Sequence, residues 1–244
     1  MDIKDSVVLI TGASSGIGEA TARAVVQAGA RAVLLARRQD RLDDLASELG
    51  NEVLALPCDV THPVEVQKAV QIAQARYGKI DVLINNAGQG LYASIEEIGI
   101  EDFRELLNLN TVAPLRMMQA VIPFMRKQGA GCIINVSSGA TLATYPGSAA
   151  YTSSKSALNM ISKVARLELA DAGITVSLIH PFMTATEFYG SVSSGLTTAQ
   201  EQESGAVSIA HPPSLVAQMI VNLIRTGDEE VDLVPQEYGG SFER

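Results

Sequence analysis

The sequence predicts an α/β protein built as one doubly wound domain: a seven-stranded parallel sheet with helices on both faces. Three observations carry this expectation. Short β-branched apolar runs alternate with longer helical patterns from one end of the chain to the other, the rhythm of strands joined by helical crossovers. The runs are almost continuously apolar, as suits strands covered on both faces. The first run also passes through a glycine-rich turn into a helix, a favourable site for an anion.

Taken in order, the strands are expected at Val7–Ile10, Ala32–Ala36, Val53–Leu56, Val82–Ile84, Cys132–Val136, Thr175–Ile179 and Val231–Val234. Helical patterns lie between them near Gly16–Ala28, Arg41–Leu49, Val64–Tyr77, Phe103–Lys127, Ala149–Ala172 and Ser214–Arg225. The fourth should break near Leu107 or Pro114, because proline cannot continue a helical ladder. No linker or repeat divides the 244 residues, so residues 1–244 are expected to form a single domain. The long segment Thr184 to Pro213, rich in Ser, Thr, Gly and Gln, is expected to be a substrate lid over residues 184–213.

Composition narrows the function. Hydrophobic content of 47% with 18% charged residues describes a well-cored globular chain. A net charge of −9 repels nucleic acid, anionic membrane and acidic carrier proteins, so neither nucleic acid nor membrane is an expected partner. Cys58 and Cys132 lie in or beside apolar runs and are expected as buried thiols, with no disulfide framework. His62, His180 and His211 each precede a proline and lack metal-ligand spacing, so they are expected in turns or loops, with no metal site. Met1 to Asp5 carries charges of both signs and Val7–Ile10 is too short for a signal or a span, which points to the cytoplasm.

The chemistry centres on Tyr151 and Lys155, in Tyr-Thr-Ser-Ser-Lys, with Ser138 upstream. Residues four apart share one helix face, so the ammonium can sit beside the phenol. A free phenol titrates near pH 10, too high for proton exchange at neutrality. An ammonium about 4 Å away, at an effective dielectric of about 20, favours the phenolate by at most roughly 4 kcal/mol, or roughly 3 pKa units. That would make Tyr151 a usable general acid or base.

The turn after the first strand reads Thr11-Gly12-Ala13-Ser14-Ser15-Gly16-Ile17-Gly18. Gly12 and Gly16 permit a tight turn and close backbone approach, and the helix that follows offers N–H groups to a pyrophosphate. The same residues match the Gly-x-Ser-x-Gly of a hydrolase nucleophile elbow. A serine hydrolase using Ser14 with His180 is therefore an alternative, and so is a nucleotide-binding protein without catalysis. Cofactor choice is read at the end of the second strand, Leu34-Leu35-Ala36-Arg37-Arg38. Ala36 supplies no carboxylate for a ribose 2′-OH, whereas Arg37 or Arg38 can bind a 2′-phosphate, and Arg37 is expected to lie nearer. NADP(H) is therefore expected, with NAD(H) the alternative. Asn85-Asn86-Ala87-Gly88, ending the fourth strand, offers small residues for a cofactor to cross and amides to tie adjoining loops.

In this order the motifs resemble the short-chain dehydrogenase/reductase family over nearly the whole chain: Thr11–Gly18, Asp59, Asn85–Gly88, Asn110, Ser138 and Tyr151–Lys155. The resemblance implies a Rossmann-type fold and a Ser138–Tyr151–Lys155–Asn110 tetrad. Ser138 would hydrogen-bond the substrate oxygen, Tyr151 would exchange its proton, and Lys155 would lower the tyrosine pKa while binding the nicotinamide ribose. Asn110 would hold a water linking Lys155 to solvent. Ser14, Ser15, Gly16, Ile17 and Gly18 would continue the cofactor turn, Asp59 and Val60 would meet the adenine, and Asn86, Ala87 and Gly88 would lie along the cofactor. Thr184 and Thr186, after Pro181, would meet the carboxamide. Where the family commonly has Pro-Gly this chain has Pro181-Phe182, a ring that would narrow the pocket or shift the nicotinamide. The implied activity is hydride transfer between a nicotinamide and a small carbonyl or secondary alcohol. Apolar residues such as Met117, Met118, Ala157, Leu158 and Ile161 on the fourth and fifth helical stretches suggest a homodimer or homotetramer.

Overall fold

The computed structural model describes residues 1–188 and 209–243. Most of the segment expected to be a lid therefore lies outside the described residues. Seven strands, Val7–Thr11 (β1), Arg31–Ala36 (β2), Val53–Pro57 (β3), Val82–Asn85 (β4), Gly131–Val136 (β5), Ile174–His180 (β6) and Glu230–Asp232 (β7), form one sheet. Its order is β3-β2-β1-β4-β5-β6-β7, and every pairing is parallel. The helices are Gly16–Gln27 (α1), Gln39–Leu49 (α2), Pro63–Tyr77 (α3), Ile100–Leu107 (α4), Ala113–Gln128 (α5), Ala149–Leu169 (α6) and Pro213–Thr226 (α7). Pro63 and Pro213 fall in the first turns of α3 and α7, where a missing N–H costs nothing.

Alternation along each strand builds two cores. Val8, Ile10, Leu34, Ile84 and Ile134 face α1, α2 and α7, packing against Val25, Leu42 and Ile220. Their neighbours Val7, Leu9, Val33, Leu83 and Ile133 face the other way, against Val66 of α3 and Met117, Val121 and Met125 of α5. Period-two side-chain geometry thus makes one apolar run serve both faces. Chain order reverses beside β1, which has β2 on one side and β4 on the other. A crevice opens outside the carboxyl ends of strands at such a switch point.

Two local expectations are corrected, the last strand and His180, while the break in the long helical pattern falls between Leu107 and Pro114 as expected. The last strand is Glu230–Asp232 rather than Val231–Val234: Asp232 accepts the Val234 N–H at 3.0 Å and the Ser241 N–H at 3.0 Å, and so turns the chain out of the sheet. The break in the long helical pattern is a π-helical turn, Asn108–Val112. Pro114 has no N–H for the Asn110 carbonyl four residues earlier, and the wider turn takes up the mismatch. His180 is not in a loop; it ends β6 and is 4% exposed. His211 pairs with Thr184, its N–H donating to the Met183 carbonyl at 2.8 Å, which ties together the two ends of the 184–211 stretch. Both cysteines are buried and unpaired. Among the described residues no helix is long and apolar enough to cross a membrane.

Candidate active site

The crevice begins at the turn between β1 and α1. Gly12 has φ +66°, and a Cβ there would lie 2.9 Å from the Ala87 Cα. At Gly18 a Cβ would lie 2.3 Å from the Gly12 carbonyl oxygen. The turn can therefore close against the end of β4 only with glycine at both places. Asn86 fastens the contact, its side chain donating to the Thr11 carbonyl at 2.9 Å, while Thr11 Oγ1 accepts the N–H groups of Asn86 and Ala87 at 2.9 and 3.0 Å. Ser15 is the N-cap of α1 but makes no side-chain cap bond. The first-turn N–H groups and the positive end of the helix dipole are thus available to an anion.

Two arginines follow β2 into the cleft, Arg37 and Arg38, and Arg38 is the one that reaches this turn. Arg38 Nη2 donates to Ser15 Oγ at 2.7 Å and to Ser14 Oγ at 3.0 Å, and Nε reaches Ser14 Oγ at 3.1 Å. Successive side chains leave an extended backbone in opposite directions, and Arg38 is still extended at the N-cap of α2. Arg37 is exposed on the other side, where its charge acts on Asp59. Arg38 also meets Glu187 at 3.2 Å, and Arg41 meets the same carboxylate at 2.8 Å. Hydrogen bonds from Arg41 and then Arg38 hold the Glu187 carboxyl below the usual range. At the end of β3, burial raises the Asp59 pKa, but bonds from Thr61 outweigh it and leave the carboxyl low. Arg116 of α5 donates to the Val60 carbonyl at 2.8 Å and fixes the neighbouring backbone.

The other half of the crevice carries the proton chemistry. Helix α6 begins at Ala149, so Tyr151 and Lys155 lie one turn apart on one face, 7% and 4% exposed. Lys155 Nζ donates to the Val136 carbonyl at 3.0 Å, and burial lowers its pKa from 10.5 to about 8. Beside it, a Cβ on Gly88 would stand 3.2 Å from both Lys155 Nζ and Asn110 Oδ1. The Asn110 side chain donates to the Gln89 carbonyl at 2.9 Å and to Ser154 Oγ at 3.0 Å, and accepts the Gln89 N–H at 3.0 Å.

Ser138 follows β5 and opens a 3-10 turn, Gly139–Leu142, with its Oγ accepting the Ala140 N–H at 3.1 Å. Its position relative to α6 is fixed by its neighbours. Ser137 Oγ donates to Asn159 Oδ1 at 2.5 Å, and Asn159 donates to Thr141 Oγ1 at 3.2 Å. His180 Nδ1 lies 3.2 Å from Thr141 Oγ1 and 3.3 Å from the Ser138 carbonyl. Its Nε2 is 3.9 Å from Glu230, and burial lowers its pKa. This histidine cannot serve Ser14, because β4 and β5 separate β6 from β1. Strands are about 4.8 Å apart, which puts the two ends roughly 14 Å from each other.

One cleft of about 900 Å³ joins both halves. It is lined by Gly12, Ser14, Ser15, Gly16, Ile17, Arg37, Arg38, Asp59, Val60, Asn86, Ala87, Gly88, Ser138, Tyr151, Lys155, Pro181, Thr184 and Thr186. Of the residues expected from sequence, only Gly18 and Asn110 stand behind the wall, each shaping it from there. Thr186 packs on Gly16, where a Cβ would meet its Cγ2 at 2.9 Å. Glu187, in the segment expected over the substrate, also lines the wall, and so does Tyr238, which belongs to no motif and reaches the cleft from near the end of the chain. Among the described residues no group of acidic, histidine or cysteine side chains could hold a metal.

Known proteins with the same organisation were compared with this geometry. An oxidoreductase of Staphylococcus saprophyticus, described as uncharacterized, is 39% identical over 195 residues, or 79% of each chain. A 3-ketoacyl-(acyl-carrier-protein) reductase from Brucella melitensis, solved with NADH, superposes with a TM-score of 0.86 at 26% identity, covering 95% of this chain and 97% of that one. An alcohol dehydrogenase from the archaeon Thermococcus sibiricus, solved with 5-hydroxy-NADP, gives a TM-score of 0.82 at 28% identity and covers 93% and 95%. Residues 6–196 match the short chain dehydrogenase family, and with the sheet order and the cleft around Tyr151 and Lys155 this shows that the chain belongs to it.

Proposed function

We propose that this chain is an NADP(H)-dependent oxidoreductase interconverting a carbonyl compound and its secondary alcohol. The observation that carries this is the opening of Ser138, Tyr151 and Lys155 onto the same cleft as the glycine turn. The cleft fits a dinucleotide: Cβ-intolerant glycines line the turn, an uncapped helix start can hold a pyrophosphate, and Arg38 stands beyond it. When bound, the nicotinamide supplies a hydride to the carbonyl carbon or takes one from the carbinol carbon. Ser138 Oγ would orient the substrate oxygen. Tyr151 would donate a proton to that oxygen during reduction and withdraw it during oxidation. Lys155, charged below about pH 8, would favour the phenolate and be resupplied through a water held by Asn110.

Several features support NADP(H). Ala36 cannot accept from a ribose diol or repel a phosphate, and Arg38 stands over Ser14 and Ser15 with Arg41 behind it. A hydrogen bond to a charged partner is worth about 1.5–3 kcal/mol, equivalent to about 10–150-fold in affinity. The solved relatives were bound to cofactors of both kinds, so the preference rests on these side chains. Self-association is supported by the exposed stripe Met160, Val164 and Leu167 on α6, with Leu167 79% exposed.

Three outcomes are expected. Tyr151→Phe should bind cofactor as wild type does while turnover falls at least about 10²-fold; near-normal turnover in the folded variant would remove Tyr151 from the mechanism. In fluorescence titrations the wild type should bind NADPH about 10–150-fold more tightly than NADH, and Arg38→Ile should erase that ratio while Arg37→Ile changes it less. Equal binding of both cofactors by wild type would favour NAD(H). Light scattering at micromolar concentration should give a dimer or tetramer, and Leu167→Glu with Met160→Glu should shift it toward monomer; a monomeric wild type would exclude association through α6.

A further inference from the structure

The two halves of the cleft differ in chemistry, and the difference follows the sheet. Cations enter it from the end of β2, as Arg37 and Arg38. Aromatic rings enter it beyond the ends of β4, β5, β6 and β7: Tyr92, Tyr145, Tyr151, Phe182, Phe188 and Tyr238. Four of the six tyrosines and two of the five phenylalanines in the chain are thus gathered around the reacting end. The Tyr151 ring stands between Tyr92, at 6.3 Å between centroids, and Phe188, at 5.7 Å. Phe182 faces Tyr238 at 5.1 Å between centroids. Any group on the substrate's carbonyl carbon must pass along these rings.

Charge in this half is as one-sided. Among the described residues the only cation lining it is Lys155, buried and already donating to the Val136 carbonyl. The chain from 184 to 213 contains no lysine or arginine at all. Whatever path residues 189–208 take, they bring no guanidinium or ammonium to the substrate. Glu105, which also lines the cleft, would oppose a carboxylate or phosphate, whereas Glu187 is paired with Arg38 and Arg41 at the cation end. An anion here would be desolvated without a partner, the most unfavourable of the available arrangements, whereas a ring could stack edge to face on its walls.

Resting on the oxidoreductase function proposed above, we propose that the substrate is an uncharged carbonyl or secondary alcohol with a ring attached at or next to the reacting carbon. Carboxylated and phosphorylated carbonyls, and carrier-bound acyl chains with their phosphate-bearing arm, are excluded by the same chemistry.

The test uses the full chain with NADPH and three probes: acetophenone, its para-carboxylate para-acetylbenzoate, and the ringless ketone butanone. The kcat/KM for acetophenone should exceed that for each of the others at least about tenfold, a difference of about 1.4 kcal/mol. Tyr145, 45% exposed at the cleft mouth, supplies a gain-of-function control: Tyr145→Lys should narrow the gap between acetophenone and para-acetylbenzoate. Equal or better use of para-acetylbenzoate or butanone by wild type would overturn the inference, as would a Tyr145→Lys protein that gains nothing on the anion. Thermal unfolding with each probe separates this inference from the proposed reaction. If no carbonyl is reduced but acetophenone raises the unfolding temperature and para-acetylbenzoate does not, the reaction is wrong and the site's preference stands. If acetophenone neither reacts nor stabilises, the preference falls.

Discussion

The Lys155 ammonium, buried beside Tyr151 and held by one carbonyl, is the interaction around which the site is organised. Burial lowers its pKa from 10.5 to about 8, which corresponds to a cost on the order of 3 kcal/mol at neutral pH. That is a large fraction of the 5–15 kcal/mol by which a typical domain is stable, so the surrounding structure must impose it. Helix α6 fixes the position of Lys155, β5 offers the Val136 carbonyl, and Gly88 leaves the space. The same burial limits the ammonium as an electrostatic partner. It persists only below about pH 8, a narrower range than an exposed lysine would give the phenol.

Everything else in the cleft follows from where the sheet reverses. With β1 between β2 and β4, the glycine turn, the Asn86–Gly88 crossing and the arginine end of β2 are neighbours. The strands on the other side bring Ser138 and the aromatic walls. Polar pairs lock the two sides together, since Asn135 joins Asn85 at 2.8 Å and Ser162 at 2.7 Å across β4, β5 and α6. These bonds tie the strand that precedes Ser138 to the helix that carries Tyr151.

Most of this was legible in the sequence, for an identifiable reason. Strands buried on both faces must be continuously apolar, so six of them fall within a residue or so of where Val, Ile and Leu cluster. Tyr151 and Lys155 needed only helical periodicity to meet. What escaped was set by contacts between distant residues. The end of β7 depends on Ser241 reaching back to Asp232, the π turn on Pro114 withholding an N–H, and the reach of Arg38 to Ser14 and Ser15 on backbone direction at the start of α2. Tyr238 carries no local pattern, and its place in the wall exists only once the chain is folded.

Lys155 is costly to the fold, and the cost is read in stability against pH. The folded-state pKa of Lys155, about 8, lies below the unfolded value of 10.5. The unfolded chain therefore binds the proton more tightly, the penalty is complete below about pH 8, and it fades as pH rises to 10.5. Lys155→Met, apolar and of similar reach, should unfold at a higher temperature than wild type at about pH 7 and lose that advantage by about pH 10.5, with turnover down at least about 10²-fold. A variant no more stable than wild type at neutral pH, or one that keeps its turnover, would contradict the account.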